Sequence, residues 1–233
     1  MGAVGLPARG TKHRTDPPAT SVRFAAIRLV PAAVVLWALI AGLGLILTHA
    51  LAKTSFERWD GSVDRWFAGH RSDTWNTTTH LVSFMAETLP VIAIGLVFFV
   101  GLRLRLGRWR ESLFLAVVLA GEVAMFVCAT LVIHRARPAV KHLDSAPPTS
   151  SFPSGHTAAA VALYGGLLVI AWCSSQRRWL RALATFLAIV IPIAVAFARL
   201  YRGMHFPTDV MASALLGVLW LGVTARVLMV DRR

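Results

Sequence analysis

Residues 30–51 form an almost unbroken apolar run, and five more runs follow at 81–102, 112–133, 156–173, 183–198 and 210–230. As a helix, a run of about 20 apolar residues crosses roughly 30 Å of hydrocarbon. One such run is compatible with a buried helix of a soluble protein. Six in succession, with charged segments between them, predict an all-α, polytopic membrane bundle of six transmembrane helices. Composition agrees: apolar types make up 56% of the 233 residues and charged types only 15%. Soluble domains carry about a quarter charged residues.

The formal net charge of +13 would suggest nucleic acid in a soluble protein. Here the arginines cluster in alternate connections. One group is Arg9, Arg14, Arg23 and Arg28 at the start. Others are Arg103, Arg105, Arg108 and Arg110, then Arg177, Arg178 and Arg181, then Arg226, Arg232 and Arg233. Threading six spans in order puts all four groups on one side. The positive-inside rule makes that side cytoplasmic and predicts both termini there. The charge therefore reads as topology and contact with anionic lipid, with the bilayer as partner and no nucleic acid. Residues 1–27, rich in Gly, Pro, Thr and charge, read as a disordered basic cytoplasmic tail, and 28–230 as one transmembrane domain. The first run exceeds a usual signal core and reads as an uncleaved span. Cys128 and Cys173 fall within or at the end of spans and read as apolar filling.

Three connections lie on the other side. In the first, Phe56, Trp59, Val63, Trp66 and Phe67 recur at helical spacing, with Arg58, Asp60, Asp64 and Arg65 on other faces. That pattern predicts a short helix at the membrane interface or packed on the bundle. Pro90 and Pro192 fall inside predicted spans, where proline can kink a helix. Glu87 lies near a span end. Glu122 is deeper, and the reading for it is a pairing with another helix.

The other two connections concentrate chemistry. One holds Arg135, Arg137 and Pro138 and ends in Pro153, Ser154, Gly155 and His156 at a helix start. A helix N-terminus offers free N–H groups and partial positive charge to an anion. Gly155 permits close backbone approach, Ser154 can cap or donate, and His156 can carry a proton near neutral pH. An ordinary Ser cap with an incidental His explains this segment equally well. The last connection holds Arg199, His205 and Asp209. Four residues apart at a helix mouth, His205 and Asp209 can face each other, and a carboxylate on one imidazole nitrogen sharpens the other as base or nucleophile. The bland alternative is a pair that only caps and solvates the helix. Guanidinium forks suit phosphate oxygens. Several arginines and no second clustered carboxylate favour an anionic substrate over a metal ion.

These residues resemble the type 2 phosphatidic acid phosphatase family, in its bacterial integral-membrane branch. Pro153-Ser154-Gly155-His156 matches one signature intact. Arg199, His205 and Asp209 match another in spacing, with Ala198 where the family has Ser. Arg137-Pro138 match the end of a third, whose Lys position holds Thr130. The resemblance covers most of 30–228. It implies a multi-pass cell-membrane enzyme hydrolysing a lipid phosphate or diphosphate, such as polyprenyl diphosphate or phosphatidic acid, on the extracytoplasmic face. His205 would attack phosphorus to give a phosphohistidine, Asp209 would orient it, and His156 would protonate the leaving oxygen. Arg137, Arg199, Ser154 and Gly155 would hold the phosphoryl oxygens, with neither metal nor other cofactor. Arg135, His134 or Lys141 are candidates to replace the missing Lys. The same residues would serve a phosphotransferase. A lipid or anion transporter, which would not need His205 as a nucleophile, is the reading from another class. The sequence leaves the particular lipid and the oligomeric state open.

Overall fold

The computed structural model describes residues 19–146 and 148–230. Eight α-helices and no strands are found among them: α1 (Ala19–Leu45), α2 (Ser55–Gly69), α3 (Asp73–Phe84), α4 (Thr88–Leu106), α5 (Arg110–Val132), α6 (Gly155–Ser174), α7 (Arg178–Tyr201) and α8 (Pro207–Ala225). Short π-helical turns, Ile46–Ala50 and Arg226–Val230, extend α1 and α8. Six helices are long and apolar enough to cross a membrane: α1 and α4 to α8, with α1 and α8 counted through their π-helical turns. The all-α membrane bundle expected from sequence is therefore present. Its outer surface is apolar: Leu89 and Leu104 expose 78% and 79% of their area. A surface that would be costly in water suits lipid.

α6 is the hub. It packs against α5, α7 and α8, and its buried stripe is built from small residues, including Ala158, Ala162, Gly165 and Gly166. A Cβ on Gly165 would lie 2.5 Å from Leu221 Cδ2, and one on Gly217 would lie 2.8 Å from Val161 Cγ1. Helices without a hydrophobic drive to associate gain mainly from such close packing. Two buried clusters result. One joins α1, α5 and α8 around Leu216 and Trp220. The other joins α4, α5, α6 and α7 around Phe114 and Leu163.

The sequence expectations need four corrections. Residues 1–18 of the expected tail lie outside the described residues, but 19–27 belong to α1. The second span starts at Thr88, because 81–84 finish the polar helix α3 and the chain breaks before Glu87 at the α4 N-cap. Pro90 thus falls in the first turn of α4, where its missing N–H costs nothing. Glu122 is buried yet makes no ion pair with a described residue, so the expected interhelical pairing is absent. Cys128 and Cys173 are free and exposed on the bundle surface.

The short helix expected in the first connection is α2, and it is turned in an informative way. Phe56, Trp59 and Trp66 are exposed, whereas Asp60 and Asp64 are completely buried against the bundle. Phe67 meets Phe197 and Tyr201 of α7 edge-on, with ring centroids 5.3 and 6.2 Å apart.

Candidate active site

The site lies where the end of α7 and the starts of α6 and α8 meet the 133–154 connection. α7 ends in a Schellman motif: the Gly203 N–H donates to the Leu200 carbonyl at 2.9 Å and the Met204 N–H to that of Arg199 at 3.0 Å. Gly203 takes φ +72°, a left-handed conformation that favours glycine. A Cβ there would also lie 2.7 Å from Val140 Cγ2. This turn delivers His205. α8 then starts with Pro207 at its first position, while the Asp209 carboxylate accepts from the Phe206 N–H at 2.9 Å.

His205 is buried. Its Nδ1 donates to the Ser151 carbonyl at 2.7 Å, with Asp209 Oδ2 at 3.9 Å. The backbone carbonyl, more than the carboxylate, therefore sets the tautomer and leaves Nε2 with its lone pair. Burial pushes the His205 pKa well below the ordinary range, and the Arg199 and Arg137 charges add to it. The imidazole is neutral near pH 7, as a nucleophile must be.

Ser151 is held by two contacts across the connection. Its N–H donates to the Arg135 carbonyl at 2.9 Å and its hydroxyl to the Ala136 carbonyl at 3.0 Å. A cis peptide bond joins Phe152 to Pro153.

Asp209 works mainly elsewhere. Its Oδ1 is paired with Arg135. Arg135 also donates to Asp60 at 2.7 Å and to the Thr208 hydroxyl at 2.7 Å, and it covers the Phe206 ring at 4.4 Å. The Thr208 hydroxyl and N–H donate to Asp60 at 2.6 and 3.2 Å. This buried network locks α2 to the mouth of α8. It also commits Arg135, which is not free to replace the missing lysine.

The two phosphate-binding candidates share one pattern. Arg137 Nη1 donates to the Met204 carbonyl at 2.8 Å. Arg199 Nη1 donates to Ser83 Oγ and to Asp144 Oδ2, both at 2.8 Å. In each, Nε is buried without an acceptor. A buried N–H left unpaired costs about 1–3 kcal/mol, more when charged. Two guanidinium groups stand around one neutral histidine, each with an unsatisfied N–H of the kind that an anionic oxygen can accept.

The α6 mouth completes the group. Ser154 is buried, its hydroxyl 3.1 Å from that of Thr157, and its N–H donates to the Asp209 carbonyl at 3.4 Å. It makes no side-chain cap bond. A Cβ on Gly155 would lie 2.9 Å from Phe126 Cζ, so glycine is needed for packing as well as approach. His156 sits in the first turn, within the field of Arg199, Asp144 and Arg137. It bonds to no described residue, so its ring is available. Thr130 bonds to the Val127 carbonyl at 2.8 Å.

Sequence reasoning missed Asp144, Ser83 and the Ser151 carbonyl. Asp144 is the sole acid between 134 and 153, which was a signal. It accepts from Arg199 and, through both oxygens at 2.9 and 2.8 Å, from Arg202 Nε. Those arginines hold its carboxyl below the usual range against the opposing effect of burial. Nothing in the pattern marked Ser83, and a carbonyl has no letter of its own.

The chain is similar to known proteins. It is 32% identical over 129 residues to an undecaprenyl-diphosphatase of Sulfolobus acidocaldarius, an alignment covering 55% of this chain and 57% of that relative's length. Its fold matches a crystal structure of the transmembrane PAP2 type phosphatidylglycerolphosphate phosphatase from Bacillus subtilis. The TM-score is 0.68 at 23% identity, over 82% of this chain and 93% of that one. The model of the PAP2 superfamily matches residues 111–233, which contain the site residues described above except Asp60 and Ser83, and on that match the chain belongs to the PAP2 superfamily.

Proposed function

We propose that this chain is a lipid phosphatase or diphosphatase acting through a phosphohistidine on His205. The observation that carries the reading is the pair of buried, unsatisfied guanidinium N–H groups around a neutral imidazole. His205 Nε2 attacks phosphorus while Arg137, Arg199 and the α6 N-terminus take the equatorial oxygens. The P–O bond to the leaving group breaks, and His156 delivers a proton to that oxygen. Water then attacks the phosphohistidine, giving up its proton to His156, and free phosphate leaves. Phosphoryl transfer asks chiefly for positioning and charge stabilisation, which arginines and helix N–H groups supply without a metal ion.

The PAP2 membership and the two similar proteins support a lipid substrate bearing a phosphate or diphosphate. The site lies at the helix ends opposite Arg105, Arg177 and Arg226. That arrangement supports an extracytoplasmic site with both termini inside.

Three measurements test this reading. Purified protein is assayed for phosphate release from polyprenyl diphosphate, phosphatidic acid, phosphatidylglycerolphosphate and a soluble phosphate ester, with and without chelator. His205→Ala should abolish release, and wild type quenched in turnover should carry an acid-labile phosphohistidine. Full turnover by His205→Ala, or loss of activity with chelator, would overturn the mechanism. A non-aqueous acceptor that takes the phosphoryl group faster than water would make the enzyme a phosphotransferase.

A further inference from the structure

The bundle has a second binding feature at the membrane face opposite His205. α4 and α7 both pack on α6 but touch each other only marginally. The gap is a groove of about 710 Å³ between the C-terminal halves of α4 and α6 and the N-terminal half of α7. Phe98, Leu167 and Leu187 are among its apolar walls, and Arg105, Gln176 and Arg177 stand at its rim. Its size and make-up are those of a ligand pocket, mostly apolar with a few polar groups.

The rim arginines differ from several of their neighbours. Arg108 is paired with Glu111. Arg110 donates to the Leu228 carbonyl at 2.9 Å. Arg181 donates to the Ser175 carbonyl at 2.9 Å and lies over the Trp172 ring at 5.2 Å. Arg105 and Arg177, which line the groove, have no acceptor for their guanidinium groups among the described residues. Gly101 also lines the groove, and a Cβ there would meet nothing within 4 Å. The helix leaves room where a chain could lie.

We infer that this groove holds one anionic glycerophospholipid as a resident, non-substrate ligand. Its phosphate sits between Arg105 and Arg177, and an acyl chain runs along α4, α6 and α7 toward the bilayer centre. Basic pockets between membrane helices recognise anionic headgroups in this way, each arginine contributing about fivefold, so the pair gives roughly 30-fold. The ligand is distinct from the substrate, because α6 and α7 carry the two sites at opposite ends.

The test uses the full-length purified protein. Delipidated protein is titrated with phosphatidylglycerol, phosphatidylcholine or inorganic phosphate, and bound lipid is counted by native mass spectrometry alongside thermal shift. One phosphatidylglycerol should be retained at roughly 30-fold lower concentration than phosphatidylcholine, with no shift from phosphate alone. Arg105→Gln with Arg177→Gln should abolish that preference, whereas Arg178→Gln, outside the groove, should keep it. Gly101→Leu should weaken both lipids by filling the groove. Equal retention of the two lipids by wild type, preference surviving in the double variant, or equal protection by phosphate would overturn the inference. Phosphate release by these variants should stay at the wild-type level, so failure here is distinguishable from failure of the His205 mechanism.

Discussion

Asp144→Asn isolates the geometry of the cradle from its charge. Asp144 touches neither histidine by hydrogen bond, yet it fixes Arg199 through Nη1 and Arg202 through Nε and Nη2. A hydrogen bond to a charged partner contributes about 1.5–3 kcal/mol and a neutral one about 0.5–1.5. Asparagine keeps an acceptor but loses the charge, so each arginine loses about 1–1.5 kcal/mol. Asp144 is about one-fifth exposed, so solvent screens part of this. The whole effect on stability should be about 1–2 kcal/mol. In the mechanism proposed for His205, the Arg199 share acts on a group that meets the phosphoryl oxygens. Arg199 carries about half of that, on the order of 0.5–1 kcal/mol, and since 1.36 kcal/mol is tenfold in rate, kcat/KM should fall about two- to fivefold. The assay is steady-state phosphate release, with kcat and KM separated, beside thermal unfolding. A purely structural role would lower stability and leave kcat/KM unchanged. A rise in activity would mean that Asp144 competes with the substrate for Arg199, and either result would refute the positioning argument. The sign with pH also follows. The Asp144 carboxyl is held below its ordinary value, so its contribution is full above the unfolded pKa near 4 and disappears as pH falls through the lower folded value.

Four further outcomes are expected. Thr130→Lys should lower KM by about 10-fold or more, on the order of 1.5–3 kcal/mol, because Arg135 is already committed to Asp60 and Asp209; an unchanged KM in the release assay would place another cation in that role. The acid limb of kcat/KM assigned to His205 should fall well below pH 6.5, since burial and two arginines keep the ring neutral; a limb at the ordinary histidine value would contradict this. Asp64, with neither carboxylate oxygen bonded, has its pKa pushed up to about 8 by burial. Between the unfolded pKa near 4 and the folded value of about 8 the folded protein holds a proton that the unfolded chain has released, so stability falls across that range, and Asp64→Asn should raise stability most at and above pH 8, by on the order of 2–4 kcal/mol in unfolding titrations. Gly203→Ala should cost about 1–3 kcal/mol, from the left-handed backbone and the contact with Val140, and should cut turnover because the same turn delivers His205.

The spans were legible because hydrocarbon imposes length and apolarity on every crossing helix, whatever its neighbours. The motif residues were legible because their types and spacings follow helix mouths. Less legible was the polar cap of α2 and α3. Its helical period could be read, but which face is buried could not: Asp60 and Asp64 turn inward because Arg135 and Thr208 meet Asp60 there. That partnership spans about 150 positions of sequence and leaves no local trace. The same holds for Ser83 on Arg199. The expected service of Asp209 to His205 was plausible from spacing alone, but at 3.9 Å it is second to the Ser151 carbonyl at 2.7 Å.

That carbonyl sets how the active site responds to mutation. An atom of the main chain cannot be deleted by changing a side chain, so an alanine scan of 150–154 would pass over the group that aims His205. Sensitivity should appear instead as dependence on loop shape. Ser150 donates nothing to His205, but its hydroxyl accepts from the N–H groups of Arg135 and Phe152 at 3.2 and 3.1 Å. Replacing it would let the peptide plane at Ser151 tilt. Drift across related sequences can therefore alter many letters around the histidine while its aim is preserved by backbone alone.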